Sequence, residues 1–215
     1  LGHSSSSLVN ASTWALMFTG KVLREGESDG VASVLRGAIK RLGEPVIRAA
    51  VGRAMKEMGA QFVLGQTIED ALRRGRKNET AGYTYSYDML GEAAMTQADA
   101  DTFNASYAKS IEVLAAQSTS DDIRANPGIS IKLSALHARY EVAQEQRVMA
   151  ELVPLVLDLA RQAKAAGMGF NIDAEEQARL VLSLQVIEAV LSHPDLAGWD
   201  GFGVVVQAYG KRASQ

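Results

Sequence analysis

Four polar residues stand at the ends of short apolar runs, at a spacing that could assemble an active site. Asp88, Lys132, Asp173 and Gln207 each close or directly follow such a run, and they are separated by 44, 41 and 34 residues. Each interval is long enough for one strand–helix–strand unit, which takes about 30 residues. The carboxyl ends of barrel strands converge on one face, where β/α-barrel enzymes assemble their active sites. The spacing therefore predicts one cluster of two carboxylates, an ammonium and an amide.

Lys132 is the most informative of these residues because it lies between Ile131 and Leu133 in an otherwise apolar run. A buried ammonium is costly unless it is paired, and Asp88 and Asp173 on neighbouring strands are its candidate partners. Spacing alone leaves three interpretations open. The lysine could form a structural ion pair or extend its head to the barrel mouth. It could instead bind a substrate carboxylate, or act as a Schiff-base nucleophile with a lowered pKa.

Neighbouring residues have simpler interpretations. His137 follows Lys132 in the same connection and has no acidic partner nearby in sequence, which favours a loop or helix-capping role over that of a general base. Glu175 and Glu176 are predicted to open the next helix, where acidic side chains meet the positive end of the dipole. A glycosidase pair of carboxylates is disfavoured by the intervening lysine and by an aromatic content of only 6%.

The elements that must position these residues alternate along the chain. Apolar residues at helical spacing predict a helix over Val46–Met58, with Pro45 in its first turn and Gly59 as its stop. Longer helical stretches are predicted at 96–117, 141–166 and 176–191. Short apolar or β-branched runs predict strands at Gln61–Thr67, Tyr83–Met89, Gly128–Leu136, Gly169–Asp173 and Gly203–Gln207.

This alternation predicts βαβ units and a parallel sheet. Thr96 and Asp99 are spaced as a capping box, and Pro154 predicts a kink or a break in the helix that contains it. The expected fold is α/β, a partial (β/α)8 TIM-like barrel comprising about the first five strands and preceded by a helical segment. Residues 1–58 would form a helical arm, and residues 59–215 the N-terminal half of the barrel.

Composition narrows the class of protein. A net charge of −3, with 22 basic residues scattered among 25 acidic ones, gives no footprint for nucleic acid. The basic run Arg73–Lys77 is predicted to be a solvated helix end. The chain has no cysteine, and its three histidines are far apart, so no metal site is expected. Without an apolar run of about 18 residues or a signal-peptide pattern, we expect a soluble, cytoplasmic protein.

Several motifs resemble those of one family, bacterial proline dehydrogenases, and most closely the proline dehydrogenase domain of proline utilization A. The similarity extends from about Val9 to Arg212, with the motifs in the same order and at the same spacing. The motifs that carry it are Leu42–Pro45, Gln61–Val63, Tyr85–Ala94, Gly128–His137, Asn171–Glu176 and Gln207–Arg212.

The resemblance implies a distorted β/α-barrel that binds FAD at the strand C-termini and oxidises L-proline to Δ1-pyrroline-5-carboxylate. Electrons would pass to a membrane quinone, through peripheral association with the inner membrane. By position, Lys132 would pair with the substrate carboxylate, and Gln207 would bond near the reactive part of the flavin. Asp173 would line the flavin and substrate pocket, Asp88 would support Lys132, and Glu92 would help gate the entrance.

The resemblance also implies that parts of the enzyme lie outside this chain. The flavin-binding arginine, the pair of substrate-binding arginines, the covalently linked aldehyde dehydrogenase domain and the DNA-binding module of some members are not found among its motifs. Both ends of the chain look cut, and the segment alone is expected to bind FAD poorly and to lack turnover. Two alternatives are an aldolase-like Schiff-base enzyme that uses Lys132 and a non-catalytic barrel fragment.

Overall fold

The computed structural model describes residues 48–49 and 51–213. The chain divides into two compact units, residues 1–74 and residues 75–215. The predictions for residues 1–47, which include most of the helical arm and the role of Pro45, lie outside the described residues.

The described part of the first unit contains helix α1, a series of turns and the beginning of helix α2. Helix α1 covers residues 48–49 and 51–59, and α2 covers Ile68–Glu79. The predicted strand at Gln61–Thr67 is wrong. Backbone N–H groups of residues 61–63 donate to carbonyls at the end of α1 at 2.8–3.1 Å, so they close turns rather than join a sheet. At its other end, Thr67 Oγ1 accepts from the Asp70 N–H at 3.2 Å and caps α2.

The second unit is built on a parallel sheet of four strands. Strands β1 (Ser86–Asp88), β2 (Gly128–Ile131), β3 (Phe170–Ile172) and β4 (Phe202–Val204) lie side by side in chain order. Helices α3 (Gln97–Ala115), α5 (Glu145–Ala165) and α6 (Leu180–Leu191) connect them. Parallel neighbours in sequential order are the arrangement of a singly wound barrel. The fold is therefore α/β and partial-barrel, as predicted, with four strands in the part of the chain that the structure describes.

One local prediction about this unit is wrong, and of the kink or break predicted at Pro154 the break does not occur. The run Gly128–Leu136 does not continue as a strand, because Leu133–Leu136 forms a one-turn helix, α4, directly after Lys132. All four of its residues are buried, and a short apolar run cannot be assigned to helix or strand by periodicity alone. Pro154 does not break α5. It is exposed to solvent, where water can satisfy the carbonyl that its missing N–H leaves unpaired.

The capping box is confirmed at the start of α3. Thr96 Oγ1 accepts from the Asp99 N–H at 3.2 Å, and Asp99 Oδ2 accepts from the Thr96 N–H at 2.8 Å. Arg76 and Lys77 lie in the last turn of α2 and are exposed, as the solvated helix end requires.

The core lies between the sheet and the helices that cover it. Every residue of β2 is buried, and α5 buries seven residues along its length. Each fully buried aliphatic or aromatic side chain contributes about 1.5–3 kcal/mol, so this layer holds the strand ends in place. The fully buried large side chains are Tyr107, Leu114, Ile129, Ile131, Leu133, Leu136, Leu152, Leu159, Met168, Phe170, Ile172 and Leu182.

Strand β4 lies at one edge of the sheet. Val204, Val205 and Val206, at and just after its end, are 46%, 47% and 60% exposed, so apolar surface remains uncovered there. Within the described residues, no helix is long and apolar enough to cross a membrane.

Candidate active site

The strand register brings the predicted cluster together. Asp88 is the last residue of β1, Lys132 directly follows β2 and Asp173 directly follows β3. Lys132 Nζ donates to Asp88 Oδ1 at 2.6 Å and to Asp173 Oδ2 at 2.9 Å. The pairing of the lysine with both carboxylates, expected from spacing, is therefore observed in the structure.

The surroundings of Lys132 fix its charge. Its side chain is only 16% exposed, and burial by itself lowers the pKa of an ammonium. The hydrogen bonds to Asp88 and Asp173 outweigh that effect, and the pKa of Lys132 is raised above its ordinary value. An amine nucleophile needs a lowered pKa, so this geometry favours a permanent cation over a Schiff-base lysine.

The backbone of Lys132 is held by a residue that sequence reasoning missed. The Lys132 N–H donates to Tyr107 Oη at 3.1 Å, and Tyr107 on α3 is fully buried. Burial raises the pKa of Tyr107 to about 12, so the phenol stays neutral. The sequence offered one sign of this role. Tyr107 lies on the buried face of α3 together with Ala100, Ile111 and Leu114, and a buried tyrosine hydroxyl needs a hydrogen-bond partner.

A cavity of about 570 Å³ opens beside the cluster, within the range of about 300–1,000 Å³ usual for small-molecule sites. Of the five predicted site residues, Glu92, Lys132, Asp173 and Gln207 line it. Asp88 is not among the lining residues and reaches the site through its ion pair with Lys132. The rest of the wall includes acidic and aromatic side chains, the valines at and just after the end of β4, and two basic residues, Arg179 and Arg212.

Gln207 has the loosest contacts of these residues. Its Nε2 donates to the Ala174 carbonyl at 3.4 Å, and its Oε1 accepts from Tyr209 Oη at 3.2 Å. Both distances are at the long end for hydrogen bonds, so the amide can turn towards a ligand at little cost. Gln207 can thus offer both a donor and an acceptor to a ligand in this cavity.

The prediction for Glu175 is wrong, because this residue does not open a helix. Its carboxylate accepts from the Ser134 N–H at 3.1 Å and from Ser134 Oγ–H. Burial raises the pKa of Glu175, against the opposing effect of the serine bonds. Glu176 stands at the N-cap position of the short 3₁₀ turn Gln177–Arg179 and pairs with Arg179, which is close to its predicted role.

His137 occupies the loop position predicted for it, after α4. Its Nδ1 accepts from the Arg139 N–H at 3.1 Å, and its Nε2 lies 3.1 Å from Glu151 Oε2. The neutral tautomer with hydrogen on Nε2 satisfies both contacts. The ring is buried and turned towards α5, and it does not line the cavity. Among the described residues, no group of three or more acidic, histidine or cysteine side chains is arranged to hold a metal ion.

Comparisons with known proteins support the family resemblance of the sequence. Residues 71–215 match the family model described as proline dehydrogenase. Two curated relatives are the bifunctional protein PutA of Escherichia coli K12, 49% identical over 99% of this chain, and that of Rhizobium meliloti, 50% identical over the same share. The chain spans 16% and 17% of the lengths of these two proteins.

The chain is also similar to solved structures of proline utilization A. A crystal structure of a point mutant of proline utilization A from Bradyrhizobium japonicum is 50% identical, with a TM-score of 0.66. The match covers 96% of this chain and 20% of that one.

A second family match contradicts one expectation. Residues 1–62 match the model described as the DNA-binding domain of proline dehydrogenase, whereas no such module was expected in this chain. That segment holds eight Lys or Arg and five Asp or Glu residues. Its excess of positive charge is concealed by the net −3 of the whole chain, which is why the overall composition gave no sign of it.

Proposed function

The chain belongs to the proline dehydrogenase family, and we propose that it supplies the N-terminal half of an FAD-dependent active site that oxidises L-proline. The proposed product is Δ1-pyrroline-5-carboxylate. The observation that carries the proposal is the Lys132 ammonium, held by Asp88 and Asp173 beside a cavity that Gln207 also lines. A fixed cation at a strand end, beside an amide that makes only long hydrogen bonds, suits the binding of a small amino acid next to a cofactor.

The role we propose for Lys132 is to bind the substrate carboxylate. An ammonium has three hydrogens to donate, and two are used by Asp88 and Asp173. The third is available for a substrate oxygen. One lysine and two carboxylates leave this cluster with a formal charge of −1, so binding a carboxylate there requires further cations. Arg179 and Arg212 line the same cavity, and we propose that arginines from the remaining half of the barrel add to their charge.

The residues present fit a flavin. Gln207 offers an amide donor and acceptor, Asp173 offers a carboxylate, and Val204, Val205 and Val206 form an apolar wall of the same cavity. When bound, the flavin supplies the oxidising chemistry by accepting a hydride equivalent. The protein's part is to orient proline, to keep its carboxylate on Lys132 and to place Gln207 against the ring.

The remaining partners follow from the same proposal. The longer relatives are bifunctional, which supports a covalently linked aldehyde dehydrogenase domain in the complete polypeptide. A membrane quinone would accept the electrons, through peripheral association of a cytoplasmic enzyme with the inner membrane. We also keep the prediction that this chain alone binds FAD poorly and has no turnover, because its apolar edge at β4 is uncovered.

The alternatives have less support. A Schiff-base enzyme needs a lysine that loses its proton readily, whereas the two carboxylates raise the pKa of Lys132. A purely structural ion pair would not explain why Lys132 and Asp173 line a cavity together with Glu92 and Gln207.

The test is the visible spectrum of the full-length polypeptide before and after proline is added without oxygen. A flavin absorbance that bleaches with proline is expected, and Lys132→Ala should keep the absorbance while losing the response to proline. A colourless protein, or a flavin indifferent to proline, would refute the proposal. Covalent trapping of a carbonyl compound on Lys132 by borohydride would then favour the Schiff-base alternative.

A further inference from the structure

Ser134 bonds to two other strand-end connections at the cavity. Its backbone N–H donates to Glu175 Oε2 at 3.1 Å, and its hydroxyl donates to Glu175 Oε1. The same hydroxyl accepts from the Ala93 N–H at 3.0 Å, and the Ser134 carbonyl accepts from the Ala94 N–H at 2.9 Å. Every polar group of this 2% exposed residue is therefore used.

These bonds join the connections that follow three strands. Ala93 and Ala94 belong to the connection after β1, Ser134 to the one after β2 and Glu175 to the one after β3. Ala93, Ser134 and Glu175 all line the cavity. The bonds are made by side chains and loop backbone beyond the last paired residues of the strands.

The segment that Ser134 holds has an unusual backbone. Ala93 has a φ of 54°, a left-handed conformation that residues with a Cβ rarely adopt and that persists only when its surroundings enforce it. Gly91, with a φ of 145°, packs so closely on Phe103 that a Cβ there would overlap the ring. Glu92 lies between these two fixed residues, so its direction into the cavity depends on both.

We propose that Ser134 and Glu175 are positioning residues, a clamp that holds residues 91–94 in the conformation that presents Glu92 to the cavity. The inference rests on the proposed function only for its consequence, the retention of proline at the site. Without the clamp, Ala93 relaxes from its left-handed conformation and Glu92 turns away from the entrance. Substrate binding then weakens, while the oxidising step, for which Lys132 and Gln207 only orient the reactants, is little affected.

Amide exchange in the full-length polypeptide tests the clamp directly. In Ser134→Ala, the lost hydroxyl frees the Ala93 N–H, and exchange of the 89–96 peptide should be about 5- to 10-fold faster. Ser134→Thr, which restores a hydroxyl, should return exchange towards the wild-type rate. Ser118→Ala is the matched control, because the Ser118 hydroxyl donates only to the Leu114 carbonyl, at the end of α3.

Glu175→Leu is a second route to the same test. It removes both oxygens that accept from Ser134, whereas a glutamine could still bond to Ser134 by donating to its Oγ. It should speed exchange of the same peptide, and Ser134→Ala combined with Glu175→Leu should add little to either change alone. This variant tests the clamp even where a substitution at the buried Ser134 reduces the yield of folded protein.

Kinetics separate positioning from simple destabilisation. In Ser134→Ala, the KM for proline should rise about 5- to 10-fold and kcat should fall less than twofold, whereas partial unfolding would lower kcat and leave KM unchanged. Exchange and KM indistinguishable from those of Ser118→Ala would overturn the clamp. If the wild-type protein does not oxidise proline, the proposed function fails, and the exchange measurements still decide whether the clamp exists.

Discussion

Replacing Lys132 with methionine should destabilise the barrel in a pH-dependent way. Methionine is unbranched and one atom shorter than lysine, and it removes the cation that lies 2.6 Å from Asp88 and 2.9 Å from Asp173. The two carboxylate oxygens that bond to the lysine nitrogen would then face each other at no more than about 5.5 Å. Their repulsion is roughly 3 kcal/mol at an effective dielectric constant of 20 and less than about 1 kcal/mol in bulk water.

The solvent exposure of the two aspartates decides where between these limits the repulsion energy falls. Asp88 is 44% exposed and can recover much of its hydration, whereas Asp173 is 20% exposed and loses its partner in a largely buried place. Breaking a fully buried pair costs about 3–5 kcal/mol. We therefore expect Lys132→Met to lower the free energy of unfolding by about 1–3 kcal/mol at pH 8.

The sign of the pH dependence follows from the two titrations. The pKa of Lys132 is raised in the folded protein, so its contribution is fully present below the unfolded value of about 10.4 and is lost only at higher pH. The wild type therefore keeps this contribution unchanged between pH 5 and pH 8. In the variant, protonation of one carboxylate as the pH falls relieves the repulsion. The difference between the two proteins should shrink by about 1 kcal/mol from pH 8 to pH 5.

This difference can be measured by urea unfolding of the full-length polypeptide. Release of the flavin is the signal, because it reports unfolding of the barrel itself. Lys109→Met is the control, since Lys109 and its partner Glu112 are 62% and 71% exposed, and its loss should cost less than about 1 kcal/mol. A loss for Lys132→Met that equals the control, or that does not change with pH, would refute the assignment of Lys132 as the cation between two carboxylates.

Three further predictions follow from the site and the fold. Tyr107→Phe removes the acceptor of the Lys132 N–H and should lower the free energy of unfolding in urea by about 1–3 kcal/mol. An unchanged urea midpoint would contradict this hydrogen bond. Borohydride with a carbonyl compound should leave no adduct on Lys132 at pH 8, by mass spectrometry, because its raised pKa keeps the amine protonated. Thr96→Ala removes the cap of α3 and should lower the free energy of unfolding in urea by about 1 kcal/mol. Thr102→Ala should lower it less, because the Thr102 hydroxyl bonds only to the Ala98 carbonyl within the helix.

The sequence sufficed for the parts of the fold that depend on local pattern. Helices α3, α5 and α6 have the periodicity and length that identify them. Polar residues after apolar runs identified the ends of β1, β2 and β3, whereas β4 ends at Val204, before Gln207. Pairing of Lys132 with Asp88 and Asp173 followed from one further rule, the convergence of parallel strand ends on one face. None of these inferences required knowledge of a contact between particular side chains.

The parts that could not be predicted depend on such contacts. From the sequence alone, Glu175 could open a helix or accept hydrogen bonds in a buried place. The second role depends on its bonds with Ser134, 41 residues earlier in the chain. Residues 61–67 carry the composition of a strand but have no strand beside them in the part of the chain that the structure describes. The buried turn Leu133–Leu136 has a single polar residue, Ser134, and one residue cannot show the period that would separate helix from strand.

The recurrence of that separation of 41 residues has a structural cause. Strands β2 and β3 pair residue by residue with this offset, as Ile131 does with Ile172. The ladder continues beyond the strands, because the Asp173 N–H donates to the Ile131 carbonyl at 2.9 Å. Lys132 therefore meets Asp173, and Ser134 meets Glu175, at the same offset.

The register of one strand pair thus places both the ion pair and the clamp. It follows that an insertion within α5, which changes the number of residues between the strands without changing their pairing, should be tolerated better than a one-residue shift of β3. Such a shift would turn the β3 side chains to the opposite face of the sheet and separate both pairs at once. The chemistry proposed for this site depends first on the register of β2 and β3, and only then on the identity of each side chain.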